Sequence, residues 1–437
     1  MTRRVPTVTR GVAVIGAVLK ALRTSRGRSA LAGHALARPV TFLLLVYAAT
    51  RVVAVLAMVV SAVWFQTPAG VGHLNPSVGD ILGSWDSVWY KRVAMYGYPI
   101  PLPADPATGL LTYSAWAFYP AFPMLVRVLM LTGLPFEPAA VLLNLVLGAA
   151  AVLLVWRCFR FAVHAAPQPA RERLALVAAV LWCLYPATGI LVMPYTEALA
   201  CVLIAASLLL LMQRRYALVA LVALPLGFTR AAAPAIACAV AAQLVLRWRE
   251  DRAAGLRPLH GQRLSAAAMI LATAVSSIAW PVVVGLASGL PLAFFKVQAA
   301  WGQNPQSGPF VLWISWAWDS HGLAGVLVLL ALVVTYIALI LGRHGRWLAL
   351  ELRVWALAYP LYLLAVVRPI TSMWRFLLLD FPIAALVASV AMRTSTGASV
   401  VGHWRRRVGV VALVLAGGMV WFTCTLLTYV PWAATPP

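Results

Sequence analysis

Acidic side chains are scarce: only 11 of the 437 residues are Asp or Glu, against 34 Lys and Arg. A soluble domain of this size keeps about a quarter of its residues charged, whereas here the figure is 10%, with 63% hydrophobic. Such a composition excludes an ordinary soluble globule, which could not hide that much apolar surface. Cysteine is also sparse. The five present (Cys158, Cys183, Cys201, Cys238 and Cys424) fall in or beside apolar segments without metal-ligand spacing, so no pair need form a disulfide and they read as packing residues. His73, His321, His344 and the other histidines show no ligand spacing, and no Asp-x-Asp pair occurs, since Asp80 and Asp86 are six apart. No cofactor is indicated, and a divalent cation (Mg or Mn) would have to be held by isolated carboxylates. There is no repeat of about 20 to 50 residues and no two-fold hydropathy symmetry, which weighs against transporters built from repeated halves.

What the chain has in abundance is apolar blocks long enough to cross a hydrocarbon core of about 30 Å. They predict an all-α, polytopic transmembrane bundle of 10 to 12 spans, placed near 40–65, 138–156, 174–191, 195–212, 216–228, 231–246, 264–287, 322–342, 350–367, 374–392 and 408–430. The two pieces between Arg215 and Arg247 are short, tilted or re-entrant and meet at Phe228-Thr229-Arg230. Residues 1–39 read as a basic cytoplasmic segment, 40–430 as one transmembrane domain and 431–437 as a short external tail. The apolar run 12–19 is too short to span and lacks a small-residue cleavage site, so it is not read as a signal peptide.

Net charge is +23, which in a soluble chain would suggest nucleic acid. Its distribution argues otherwise. With the N-terminus inside, 26 of the 34 basic residues fall in cytoplasmic segments, the positive-inside signature of a multi-pass plasma-membrane protein. That count requires the segment 117–134, with Pro120, Pro123 and Arg127, to lie along the interface rather than cross. Residues 66–137 then form one long external loop, and 288–321, rich in Trp301, Trp313, Trp316 and Trp318, a second. Seven of the eleven acids (Asp80, Asp86, Asp105, Glu137, Glu197, Asp319 and Asp380) are external or membrane-embedded. Ionisable groups persist near lipid only where they are paired, solvated in a cavity or functional.

The densest cluster runs from Gly83 to Pro99. Treated as helix, it puts Trp85, Trp89 and Arg92 on one face and Asp86, Tyr90 and Val93 on an adjacent one. A carboxylate beside flat aromatic surfaces has the make-up of a sugar subsite; an interfacial helix with Asp at its N-cap would carry the same residues. Glu197 follows Pro194-Tyr195-Thr196, where an acid complements a helix dipole or lines a cavity bracketed by Tyr185-Pro186 and Pro194-Tyr195. Arg230 sits between two short helices at membrane depth and Arg375 follows Trp374 just outside another span. A buried Arg needs an anion, either a phosphate, whose shape a guanidinium matches, or Asp380 or Glu197. Arg368 and Arg375 lean toward pairing or snorkelling, and Arg51, in the first span, toward pairing with one of the acids.

In order along the chain come Trp85-Asp86, Val93-Ala94-Met95-Tyr96-Gly97-Tyr98, Ala117-Phe118-Tyr119-Pro120-Ala121-Phe122-Pro123, Tyr185-Pro186-Ala187, Tyr195-Thr196-Glu197-Ala198, Arg230, Trp374-Arg375-Phe376 and Pro431-Trp432. This series resembles the PIG-V family, the GPI mannosyltransferase II relatives within the multi-spanning GT-C glycosyltransferases. It departs from the eukaryotic pattern with Ser84 where His often precedes Trp-Asp, and Trp89-Tyr90 where His-Phe is common. The basic residues are almost all Arg, as in GC-rich bacterial genomes, with only Lys20, Lys91 and Lys296 as Lys. The resemblance implies a bacterial α-mannosyltransferase, moving mannose from polyprenyl-phosphate-mannose to a lipid-linked or glycoconjugate acceptor at the external face. It implies Asp86 as base or metal contact and Glu197 as the second acid. Trp85, Trp89, Tyr90, Arg92, Tyr98, Tyr195, Arg230 and Arg375 are the expected substrate contacts. The chemistry agrees: a carboxylate can take the acceptor hydroxyl's proton, and guanidiniums can stabilise charge on the leaving lipid phosphate. Two other readings stay open, a GT-C enzyme with a different polyprenyl-linked sugar and a flippase or transporter of lipid-linked substrates.

Overall fold

The computed structural model describes residues 37–67, 75–162, 168–256, 260–303, 308–392 and 402–429. Most of the basic N-terminal segment, His73, Pro431-Trp432 and the tail 431–437 lie outside the described residues. The elements are α1 (Pro39–Trp64), α2 (Val78–Leu82), α3 (Asp86–Tyr96), α4 (Ala121–Met130), α5 (Phe136–Ala162), α6 (Gln168–Cys183), α7 (Glu197–Met212), α8 (Tyr216–Leu226), α9 (Ala233–Ala253), α10 (His260–Ser288), α11 (Ala293–Ala300), α12 (Val311–Leu341), α13 (Leu350–Val366), α14 (Met373–Phe376), α15 (Pro382–Met392) and α16 (Trp404–Thr425). Among the described residues there is no strand, only an isolated bridge between Ala104 and Leu111.

Each of the eleven predicted apolar segments is helical, but they are not equal. Five helices (α1, α5, α10, α12 and α16) are long and apolar enough to cross a membrane, which makes this a multi-pass membrane protein. Two further apolar stretches are bent pairs, each a broken span or a re-entrant loop: α6 bends by 70° into a 3₁₀ segment, Pro186–Val192, and Met373–Leu379 bends by 82° into α15. Prolines at 186 and 382 open the second piece of each, where a missing N–H costs nothing. The other predicted spans form shorter or less apolar helices: α7 and α8 are apolar but have 16 and 11 residues, about 24 and 17 Å at 1.5 Å per residue, α13 has 17 residues, and α9 ends in the charged turn Arg247–Arg252. Helix α4 has ten residues, too few to cross, with Leu125 and Val128 exposed as an interfacial helix requires. The segment 288–321 holds α11 and the first part of α12, whose backbone leaves the helical region at His321-Gly322.

Helix α7 is the centre of the bundle, packed on α5 and α8, while α8 packs on α10 and α9 on both α10 and α13. Close approach is built in: a Cβ on Gly148 of α5 would overlap the Tyr47 hydroxyl of α1. Among the described residues Arg51 of α1 has no acid partner, contrary to expectation. It donates to the Thr188 carbonyl and to Thr50 Oγ1, under the ring of Tyr47, and so satisfies the bent 3₁₀ segment. A backbone carbonyl freed by a break in a helix is itself a strong acceptor at membrane depth.

The described part of the segment 66–137 is tied down rather than dangling. Trp116 stacks on Trp280 of α10 at 5.6 Å, and Tyr98 on Trp116 at 4.4 Å. The Ala121 amide donates to the Phe228 carbonyl at 2.8 Å, joining α4 to the break before Arg230. Gln298 of α11 reaches the Ala117 carbonyl at 3.2 Å. These contacts place α3 and the 115–123 turn over the end of the bundle where α7 and α9 begin.

Candidate active site

The first helix of the loop, α2, starts in a capping box between Ser77 and Asp80, so Asp80 is occupied locally. After Gly83 the chain turns sharply at Trp85, whose φ of 57° lies in the region that residues with a Cβ rarely adopt. Such strain persists where surroundings over-determine it. Here Trp85 stacks on Tyr429 at 4.1 Å and its indole N–H donates to the Leu427 carbonyl. The turn starts α3 at Asp86 rather than before it and aims the Asp86 side chain into the bundle. The Asp86 amide donates to the Tyr195 hydroxyl at 3.3 Å.

Asp86 Oδ2 meets Arg375 Nη2 at 2.5 Å, Arg375 Nη1 meets Glu197 Oε1 at 3.1 Å, and the same oxygen accepts from Arg230 Nη1 at 2.8 Å. The four groups form a chain of alternating charge, drawn from the loop, from the start of α7, from the break before α9 and from the bend at α14. Aromatic faces flank it: Arg375 lies 5.0 Å from the Tyr195 and Phe376 ring centroids, and Arg230 lies 4.4 Å from that of Phe376. Exposure orders the members. Glu197 is 0% exposed and Arg375 7%, while Arg230 and Asp86 are 15% and 17%. Glu197 therefore sits behind the wall, and Asp86 and Arg230 face outward from it.

They face a cavity of about 250 Å³, whose wall includes Asp86, Tyr90, Arg230, Arg375, Tyr362 and Arg368. A neighbouring apolar cleft of about 310 Å³ shares Tyr119, Tyr362 and Val367 with it and continues between α11 and α13 past Phe294, Phe295 and Val366. Arg368 has no carboxylate partner among the described residues, so it supplies the cavity's unbalanced positive charge. Its guanidinium lies against Gly302, where φ is 76° and a Cβ would stand 2.5 Å from Nη1. Tyr90 bonds to Thr196 Oγ1 at 3.4 Å, and burial, reinforced by the charges of Asp86 and Glu197, pushes its hydroxyl well above the usual tyrosine range. It is a neutral hydrogen-bonding group, not a phenolate.

Of the expected site residues, the structure gathers Asp86, Tyr90, Tyr195, Glu197, Arg230 and Arg375. It does not bring Trp85, Trp89, Arg92 or Tyr98 into the cavity wall. Trp89 packs between Phe118 and Trp301 with Arg92 over its ring, and Tyr98 donates to the Phe118 carbonyl. Sequence reasoning missed Tyr359, Tyr362, Gln298 and Trp301, all on the wall. Tyr359 and Tyr362 carry one faint signal, two phenols three apart in an apolar helix interrupted by Pro360.

The donor set does not fit a divalent cation. Among the described residues no three His, Cys, Asp or Glu side chains gather, and the two carboxylates present are bridged by the Arg375 guanidinium.

No family model matches the sequence, and no curated protein matches it significantly. Among solved structures, the chain is similar to two crystal structures of the Archaeoglobus fulgidus oligosaccharyltransferase. One is a complex with Zn and sulfate, at 12% identity and TM-score 0.44, covering 90% of this chain and 54% of that one. The other is tethered by a disulfide bond to an acceptor peptide containing the NVT sequon, at 14% identity and TM-score 0.43, covering 88% and 54%. The chain spans about half the length of these structures, 54% in each case.

Proposed function

We propose that this protein is a membrane glycosyltransferase of the GT-C type that moves a sugar from a polyprenyl-phosphate donor to a hydroxyl of a lipid-linked or glycoconjugate acceptor at the external face of the plasma membrane. The observation that carries the reading is Asp86 in the wall of a cavity lined by three guanidiniums and continued by an apolar cleft. Acid, cations and grease in that order match the parts of a lipid-phosphate sugar and its attacker. Mannose as the sugar, and a PIG-V-like bacterial lineage, rest on the motif series alone. The external placement rests on the Arg distribution.

In this mechanism the acceptor hydroxyl oxygen attacks the anomeric carbon, the bond from that carbon to the phosphate oxygen breaks, and its electron pair stays with the lipid phosphate. The hydroxyl proton passes to Asp86, whose Oδ1 has no partner among the described residues while Oδ2 is held by Arg375. Attack opposite the phosphate inverts the anomeric centre. Charge accumulates on the departing phosphate, and Arg230, Arg368 and Arg375 stabilise it without reorganising. Arg368 brings net charge, because the other two are already neutralised by Asp86 and Glu197. We assign Glu197 as the buried anion that positions both of those guanidiniums, which leaves Asp86 as the base.

The test is release of polyprenyl phosphate from radiolabelled polyprenyl-phosphate-mannose by purified protein with a mixture of cell lipids and glycoconjugates as acceptor. Turnover that moves label to an acceptor supports the reading. Movement of intact donor from one leaflet of a vesicle to the other, without release of polyprenyl phosphate, would replace it with a flippase.

A further inference from the structure

A separate cavity of about 620 Å³ has a wall that shares no residue with the one that holds Asp86. Helix α7 starts at Glu197 in the catalytic chain and reaches Met212 after 16 residues, about 24 Å away at 1.5 Å per residue. Helix α9, which begins just after Arg230, arrives at the same end at Arg247. There, four guanidiniums from three separate stretches of chain converge on one hollow: Arg214 after α7, Arg247 and Arg252 on α9, and Arg263 on α10.

Two of the four are held in place. Arg214 Nη2 meets Glu250 Oε2 at 2.5 Å, with φ of Arg214 at 59°, and Arg247 Nε meets Asp251 Oδ2 at 3.0 Å. Arg252 and Arg263 have no carboxylate partner among the described residues, and Arg252 lies 5.5 Å from the centroid of the Trp248 ring. The hollow thus carries surplus positive charge beside rings and chains left in the open: Trp248 is 58% exposed and Leu256 62%. A scattered basic belt would satisfy the positive-inside bias without a cavity, without carboxylate-held guanidiniums and without convergence.

We propose that this hollow is a binding site for a phosphate group, at the opposite end of the bundle from the transfer site and independent of the sugar chemistry. The paired Arg214 and Arg247 shape the site, and Arg252 and Arg263 meet the anion with geometry that suits phosphate oxygens. The exposed Trp248 and Leu256 fit the glycerol and first acyl carbons of an anionic phospholipid, and a basic pocket between helices at the cytoplasmic surface is a physically ordinary place for such a headgroup.

The experiment uses the full chain in a neutral detergent, titrated with fluorescent phosphatidylglycerol, with matched phosphatidylcholine and with inorganic phosphate as competitor. Phosphatidylglycerol should bind more tightly than phosphatidylcholine. Arg252→Gln and Arg263→Gln, both exposed and safe for folding, should each weaken binding about fivefold, the equivalent of roughly 1 kcal/mol per basic residue at an anionic surface. Arg157→Gln, exposed on α5 away from the hollow, should leave it unchanged. Displacement by millimolar inorganic phosphate identifies a soluble phosphate source; lipid binding that resists it identifies the headgroup. The proposal is overturned if neither probe binds in an Arg252- and Arg263-dependent way, or if Arg157→Gln weakens binding as much as Arg263→Gln.

Discussion

Replacing Glu197 with Gln keeps the shape of the side chain and removes one charge from the middle of the ionic chain. Glu197 is fully buried, with Arg230 at 2.8 Å and Arg375 at 3.1 Å on the same oxygen. At an effective dielectric constant of about 20, each contact is worth about 5 to 6 kcal/mol before desolvation. Sparing the carboxylate its own desolvation returns several kcal/mol. The net cost should be about 3 to 5 kcal/mol, as for other broken buried pairs. Arg375 keeps Asp86, so the loss falls mainly on Arg230, which retains only Thr196 Oγ1 at 3.3 Å and the face of Phe376. The assay is thermal loss of the monodisperse peak in detergent, run beside transfer activity. The variant should melt well below the parent and should also turn over poorly, because the phosphate contacts drift. A Glu197→Gln protein as stable and as active as the parent would refute the reasoning that this carboxylate organises the site.

Arg375→Lys should lose at least about a hundredfold in kcat, because a point charge cannot hold Asp86 and Glu197 with two separate nitrogens; steady-state kinetics of the folded variant check it. Arg368→Gln should raise KM for the lipid-phosphate donor by about tenfold, the scale of one charge-assisted bond, with the melting temperature unmoved since the residue is exposed. Tyr90 is held protonated by burial and by neighbouring negative charge, and its neutral form persists as pH rises through the ordinary tyrosine range. The alkaline limb of the pH–rate profile should therefore coincide in the parent and in Tyr90→Phe up to about pH 10. A limb that disappears with the ring hydroxyl would contradict that.

The sequence made the helices legible because apolar blocks in lipid have few alternatives. It also exposed the acids and arginines worth watching, because ionisable groups at membrane depth are rare. Asp86 and Tyr90 share a face as their spacing of four predicts, and both reach the cavity wall. Trp85 fails the same test for a local reason. The helix starts one residue later, and a positive φ swings the indole toward Tyr429, which no periodicity encodes. Arg51 was expected to seek a carboxylate, but a carbonyl exposed by the bend after α6 served instead, and bends of that kind are tertiary events. Trp301 read as an interfacial anchor; it meets Trp89 at 5.3 Å and helps close the cavity, a contact spanning more than two hundred residues of chain.

The most direct measurement is a single-turnover reaction of purified Asp86→Asn with labelled polyprenyl-phosphate-mannose, in protein whose melting temperature has been compared with the parent. A well-folded variant whose chemical step has slowed by about a hundred- to ten-thousandfold, the range for losing a general base, while donor still binds, is the expected outcome. Near-parental transfer by that variant would contradict the assignment of proton removal to this carboxylate.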